Sequence, residues 1–217
     1  MSQTKLKICG ITTLADARYC AGAGVDYLGF IQYEGSPRYI KPSEAREIIE
    51  WLYGPESVGV FVNESADTIN RAVEEIGFHV AQVHGEMSPE EIATIEAKSI
   101  RALGVSSDTT PDDLKKEMDR YADAVDFFLL DTAKAGLFGG TGETFNWDIA
   151  KSLTAQYPIF IAGGINASNL GQVINTLEPF AVDLSSSVES SPGVKDFDKL
   201  ADLFEAYDEF RVEEEEE

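Results

Sequence analysis

Short apolar runs alternate with amphipathic segments along the whole chain, and this alternation limits the fold more than any other feature. "LKICG" (6–10) precedes "TLADARYCAGAG", and "VDYLGFI" (25–31) precedes "KPSEAREIIEWL". "SVGVFVN" (57–63), "HVAQVHG" (79–85) and "SIRALGV" (99–105) are followed by "SADTINRAVEEIG", "SPEEIATIEAK" and "TPDDLKKEMDRYA". "VDFFLLD" (125–131) runs into the glycine-rich "GLFGGTGETFNW". "PIFIAGG" (158–164) and "FAVDLSSS" (180–187) precede "NASNLGQVINTL" and "KDFDKLADLFEAY". Continuous runs of Val, Ile, Leu and Phe suit parallel strands covered on both faces. The intervening segments carry one-sided apolar stripes, such as Ala45, Ile48, Ile49 and Leu52. Pro42 and Ser43 stand where a helix should start, and Ser88 with Glu91 fits a capping box.

About eight strand–helix units in just over 200 residues predict an α/β protein: a (β/α)8 TIM barrel forming a single domain over residues 1–210. An open doubly wound sheet is the alternative. Both folds bind ligands at the carboxyl ends of their strands, and that is where the polar and glycine residues of this chain gather.

Composition narrows the class. Asp and Glu number 39 against 17 Lys and Arg, a net charge of −22. Such a balance argues against nucleic-acid binding, which needs a basic footprint, and it fits a salt-rich cytoplasm. The run "RVEEEEE" (211–217) is expected to be a disordered, solvating tail. No apolar run approaches a membrane span, and residues 1–15 lack the apolar core of a secretory signal. The only cysteines, Cys9 and Cys20, make no disulfide framework, so a reducing cytoplasmic location is expected. Cys20, with Ala17 and Ala21, reads as helix packing rather than a partner for Cys9.

Strand parity places the chemistry, because side chains two apart share a face. With Leu6 and Ile8 turned to the helices, Lys7 and Cys9 point into the barrel. Gln82 and His84 share the face of Val80, Asp131 that of Phe127 and Leu129, and Asp183 that of Ser185. A thiol, an amide, an imidazole and two carboxylates thus converge on one rim. Each has a plain structural reading: a buried hydrophobe, a satisfied core histidine, a turn residue. Together they are costly to desolvate without a purpose. The Lys7 ammonium should favour thiolate and lower the Cys9 pKa. "AGGIN" after the seventh strand and "SSSVESSPG" after the eighth occupy the usual phosphate cradle of such barrels. Gly163 and Gly164 allow close main-chain approach there. No metal-ligand cluster is visible.

The stretches "KICGIT", "GFI" with "SPRYI", "VGVFVN", "QVHGE", "LLDT" with "GGTGETFNW", "AGGIN" and "VDLSSSVESSPGVKD" occur in one order over residues 7–196. In this the chain resembles the phosphoribosylanthranilate isomerases of tryptophan biosynthesis, (β/α)8 barrels that perform an Amadori rearrangement. The resemblance implies Cys9 as general base and Asp131 as general acid. It implies Arg38 as the anchor of the anthranilate carboxylate, with Gln82, His84 and Asp183 also at the substrate; the inward-facing Lys7 is grouped with them. Phosphate would fall on Gly163, Gly164, Ser186 and Ser187. No metal, nucleotide or redox cofactor is implied. The expected partner is a small phosphorylated substrate, with no nucleic acid and no membrane, in a monomer or homodimer. Two positions depart from the family pattern: Ser187 where glycine is usual, and Asn146 where aspartate precedes the tryptophan. Rival readings are a histidine-pathway aminoaldose isomerase, which favours paired aspartates over a first-strand cysteine, and a non-catalytic phosphate-binding barrel.

Overall fold

The computed structural model describes residues 4–132 and 147–210. Asn146 and the acidic run 211–217 lie outside the described residues. Strand and helix alternate: β1 (Lys5–Cys9), α1 (Leu14–Gly22), β2 (Tyr27–Ile31), α2 (Pro42–Glu50), β3 (Glu56–Val62), α3 (Ala66–Ala72), β4 (Val80–His84) and α4 (Pro89–Ile92). They continue as β5 (Lys98–Val105), α5 (Pro111–Tyr121), β6 (Phe127–Thr132), α6 (Lys151–Thr154), β7 (Ile159–Ile161), α7 (Leu170–Leu177) and β8 (Ala181–Leu184). A two-stranded ribbon, β9 (Glu189–Ser191) and β10 (Val194–Lys195), precedes α8 (Phe197–Asp208). Strands β1 to β8 form a closed, parallel barrel in chain order. The open sheet is thereby excluded. The seam pairs β1 with β8, setting Leu6 against Val182 and Lys7 against Asp183.

Parity divides the apolar residues into two layers. Leu6, Ile8, Leu28, Phe30, Phe61 and Val83 pack outward against the helices. Cys9, Tyr27, Val60, Val80, Ile100, Leu129 and Phe160 fill the interior. Aromatic rings close the amino-terminal end of the barrel. Tyr27 and Phe127 meet Phe160 edge-on, with centroids 5.3 and 5.6 Å away, and Phe180 stacks on Phe127 at 4.7 Å. The Lys5 ammonium lies 5.5 Å from the Tyr27 ring centre and 5.3 Å from that of Phe180. With this end plugged, ligands can enter only from the carboxyl end.

Local chemistry sets the helix ends. Thr13, Ser65, Ser88 and Thr110 each accept the N–H three residues on, and Thr110 with Asp113 forms a complete capping box. Pro42 opens α2 with Ser43 next, as the sequence indicates, and Lys41 holds the cap position without a side-chain bond. One expectation needs correction: the segment after β4 forms only the short α4 rather than a helix through Lys98. Asn70 explains the early stop: its amide donates to the Thr94 carbonyl and accepts from the Glu96 N–H. It thereby takes main-chain groups that a longer helix would have used.

The aromatic plug yields a stability prediction. Phe160→Ala should leave a cavity beside Tyr27, Phe127 and Phe180 and cost about 3–5 kcal/mol. Its urea midpoint should fall with an unchanged slope, whereas an unmoved midpoint would show that the plug is dispensable.

Candidate active site

The carboxyl ends of the strands surround a cavity of about 680 Å3, part of it open to solvent. Cys9, Arg38, Gln82, His84, Asp131, Asp183, Gly163, Gly164, Ser186 and Ser187 all line it. Lys7 is the exception among the residues singled out from sequence. Its ammonium is completely buried and pairs with Asp183 Oδ1 at 3.0 Å. Because Lys7 lies two residues before Cys9 on the same strand face, it sits one layer beneath the cavity floor.

Burial governs the ionisation of the two central groups. Desolvation pushes the Cys9 thiol above its ordinary value, outweighing the opposing pull of the Lys7 ammonium. The expected lowering is therefore corrected. Lys7 acts in the anticipated direction, but the nearby Asp183 opposes it and low polarity dominates. Burial also raises Asp131 to about 6, assisted by repulsion from Asp183 and opposed by the Thr132 N–H and Lys7. That N–H donates to Asp131 Oδ1 at 2.8 Å and so sets the carboxyl's orientation. Lys7 itself stays protonated: burial disfavours its charge, but Asp183 and Cys9 more than compensate.

His84 is held near pKa 4 by burial and by the positive charges of Lys7 and Arg101. It is neutral at physiological pH. Gln82 Nε2 donates to His84 Nε2 at 2.8 Å, which leaves the imidazole proton on Nδ1. Gln82 Oε1 is buried without a protein partner among the described residues.

Glycines make room for the reactive groups. A side chain at Gly163, where φ is +86°, would begin 2.5 Å from Thr132 Oγ1 and 3.0 Å from Asp131 Oδ1. This glycine therefore leaves room for the Asp131 carboxyl and the Thr132 hydroxyl. Ser186 and Ser187 start a single 3-10 turn, whose first N–H groups have no intrahelical acceptor. The Ser187 side chain, at the departure from the family pattern, is on the cavity wall.

Parity alone did not reveal Gly29, Glu189 or Lys195. A side chain on Gly29 would start 2.7 Å from Cys9 Sγ and 3.1 Å from Cys9 Cα, so this glycine creates the thiol's space. A glycine inside the apolar "YLGF" was the available signal. Glu189 chelates Arg38: Nε donates to both carboxylate oxygens at 2.9 and 3.0 Å, and Nη2 donates at 2.8 Å. Arg38 Nη1 takes no part in that pair. Lys195 Nζ also reaches Glu189 Oε1, at 3.0 Å. Both cysteines are unpaired thiols, and Cys20 is packed in the outer core.

A closed parallel barrel with one plugged end and a cavity lined by a thiol and carboxyls beside the loops after β7 and β8 has the architecture of the phosphate-handling (β/α)8 barrels as a class. A family model described as N-(5'phosphoribosyl)anthranilate (PRA) isomerase matches residues 6–206. The chain is 40% identical over 211 residues to the N-(5'-phosphoribosyl)anthranilate isomerase of Pelobacter propionicus, covering 96% of this chain and 98% of the relative. Monomers of the dimeric phosphoribosylanthranilate isomerase of Thermotoga maritima superpose with a TM-score of 0.83 at 34% identity, covering 95% of this chain and 99% of that one. A phosphoribosyl anthranilate isomerase solved with reduced 1-(o-carboxyphenylamino)-1-deoxyribulose 5-phosphate has a TM-score of 0.83 at 32% identity, covering 95% and 99%. The chain belongs to the phosphoribosylanthranilate isomerase family.

The space at Gly29 is directly testable. Gly29→Ala should displace the Cys9 thiol and lower kcat/KM by about 10²-fold, the scale of a misplacement near 1 Å. Gly22→Ala, where an added methyl meets nothing within 4 Å, should leave activity unchanged. Equal activity of the two variants would dissociate the Cys9 pocket from turnover.

Proposed function

We propose that the chain isomerises N-(5-phosphoribosyl)anthranilate to 1-(2-carboxyphenylamino)-1-deoxyribulose 5-phosphate, the step its relatives serve in tryptophan biosynthesis. The observation that carries this reading is the meeting of Cys9 and Asp131 in one cavity, with Arg38 and the loops at 163–164 and 186–187 also on its wall. Arg38 Nη1 is the donor for the anthranilate carboxylate. The glycine main chain and the Ser186 and Ser187 hydroxyls serve the phosphate. The solved relative holding a reduced product analogue supports the same class of ligand.

Asp131 acts as general acid and gives its proton to the ring oxygen. The bond from C1′ to that oxygen breaks, and the anthranilate nitrogen lone pair forms a protonated imine. The Cys9 thiolate then removes the C2′ proton, leaving an enolamine. The thiol returns a proton to C1′ while the enol hydroxyl loses one to the Asp131 carboxylate, so both residues regain their starting forms. Lys7, one layer below, stabilises the thiolate as it forms. The neutral His84–Gln82 pair supplies polar contact without adding charge. Mixing the purified protein with freshly made phosphoribosylanthranilate should lower the substrate's fluorescence faster than in an enzyme-free control, in which hydrolysis only releases fluorescent anthranilate. No acceleration at either low or high salt would overturn the proposal.

The ionisation order predicts a particular pH profile. Asp131 titrates near 6, whereas Cys9 lies above its ordinary value. The productive form, thiolate with protonated carboxyl, is thus a minority species of constant population between the two pKa values. Its population falls below the lower pKa and above the higher one. The acidic limb of kcat/KM should therefore fall near pH 6 and report Asp131, while the basic limb reports Cys9. Asp131→Asn should abolish the break near pH 6, so that kcat/KM climbs with thiolate formation up to the Cys9 pKa and then levels off, and should slow the reaction about 10²–10⁴-fold, with partial rescue by an open-chain substrate analogue. Cys9→Ala should lose a similar factor without rescue; equal rescue of both variants contradicts the division of roles.

Net charge predicts an unusual salt response. A chain of charge −22 repels a substrate bearing carboxylate and phosphate. Raising ionic strength from about 0.01 to about 0.15 M shortens the Debye length from about 30 to about 8 Å. kcat/KM should rise over this range with kcat steady. A fall would show that local cations, rather than the overall field, govern encounter.

A further inference from the structure

The β9–β10 ribbon is outside the barrel, yet it ties together three parts of the rim. Lys195 Nζ is fully buried and donates to the Cys9 carbonyl at 2.6 Å, to Glu189 Oε1 at 3.0 Å and to the Ser185 carbonyl at 3.3 Å. These bonds use all three donors of the ammonium. The buried Glu189 carboxylate takes the Arg38 fork on its other side, and its main-chain carbonyl accepts from Lys199 Nζ at 2.7 Å. At the ribbon's turn, Thr12 Oγ1 donates to the Gly193 carbonyl. A methyl at Gly193 would lie 3.2 Å from the Pro37 carbonyl oxygen, and one at Gly10 would lie 2.9 Å from Arg38 Cδ. Both glycines have positive φ, +81° and +79°, so a side chain at either position would be strained in backbone conformation as well as crowded.

Within this triad the charges do not cancel: two cations, Arg38 and Lys195, share one carboxylate, and of the three only Arg38 is on the cavity wall. Lys195 also competes for the carboxylate, so Glu189 orients Arg38 without fully neutralising it. We propose that Glu189 and Lys195 are positioning residues of this active site: Glu189 aims the Arg38 guanidinium at the substrate carboxylate, and Lys195 holds Glu189 and the Cys9 main chain in register. This inference rests on the isomerase reading for the identity of the anion.

A double-mutant cycle tests it. Glu189→Gln should raise KM about tenfold or more, the scale of a charged hydrogen bond, with kcat nearly unchanged. In an Arg38→Met background the same change should add nothing further to KM, because Glu189 acts through Arg38. Lys195→Met should lower kcat and move the basic limb of the pH profile upward, since a cation that favours the thiolate is gone. A lower KM in Glu189→Gln would show that Glu189 competes with substrate for Arg38, and would overturn the proposal. Independent KM penalties that multiply in the double variant would do the same, as would an unmoved pH profile in Lys195→Met. If circular dichroism shows that Lys195→Met fails to fold, the Glu189–Arg38 cycle decides alone. An inactive wild-type enzyme counts against the isomerase reading instead. Titrating anthranilate against the wild type and the three cycle variants, read by its fluorescence, then tests the positioning claim by itself.

Discussion

The buried ion pair between Lys7 and Asp183 is the interaction on which the architecture and the site both turn. It bridges the seam where β1 meets β8, with the two residues in register and the charged atoms 3.0 Å apart. Removing either partner would leave an uncompensated charge in the barrel interior, a loss on the order of 3–5 kcal/mol. The pair therefore disfavours any register that turns Lys7 outward. Once Lys7 faces inward, Cys9 must do so two residues later, at the carboxyl end. Asp183 likewise brings β8 into the cavity just before the serine loop. One contact thus helps to close the barrel and to set the orientation of the Cys9 thiol.

Low polarity around that pair has a chemical consequence. It raises both Cys9 and Asp131, with Asp131 near 6 and the thiol above its usual range. A buried thiol is a poor base at rest but a strong one when ionised. A half-buried carboxyl near 6 keeps part of its population protonated close to neutrality. Burial therefore makes the Cys9 thiolate more basic but scarcer, while it keeps more of Asp131 protonated. Lys7 and Lys195 limit that scarcity, because the positive charge of each favours the thiolate.

The outer rim follows a different logic. Arg38 lies 151 residues before Glu189, which shares the β9–β10 ribbon with Lys195, and their main-chain environment includes Gly10 and Gly193 with positive φ. The barrel interior is held by apolar packing, whereas this part of the rim is held by charged hydrogen bonds in restricted space. Such bonds are directional, so they can aim a guanidinium where packing alone could only enclose it.

Periodicity in the sequence was enough to predict eight strand–helix units and the inward rim set of Cys9, Gln82, His84, Asp131 and Asp183, because strand parity is a local, two-residue rule. Closure into a barrel rather than an open sheet was settled by the pairing of β1 with β8. The family motifs led to Arg38 and to the loops at 163–164 and 186–187, but could not show that Glu189 already engages Arg38. Tertiary structure alone decided the rest. Asn70 ended α4 through bonds to Thr94 and Glu96, Gly29 left space for the Cys9 thiol, and Lys195 reached the Cys9 carbonyl 186 residues away in sequence. The sign of the Cys9 shift was decided there as well. Sequence displays the neighbouring ammonium, but the desolvation that outweighs it exists only once the barrel closes and removes water from both.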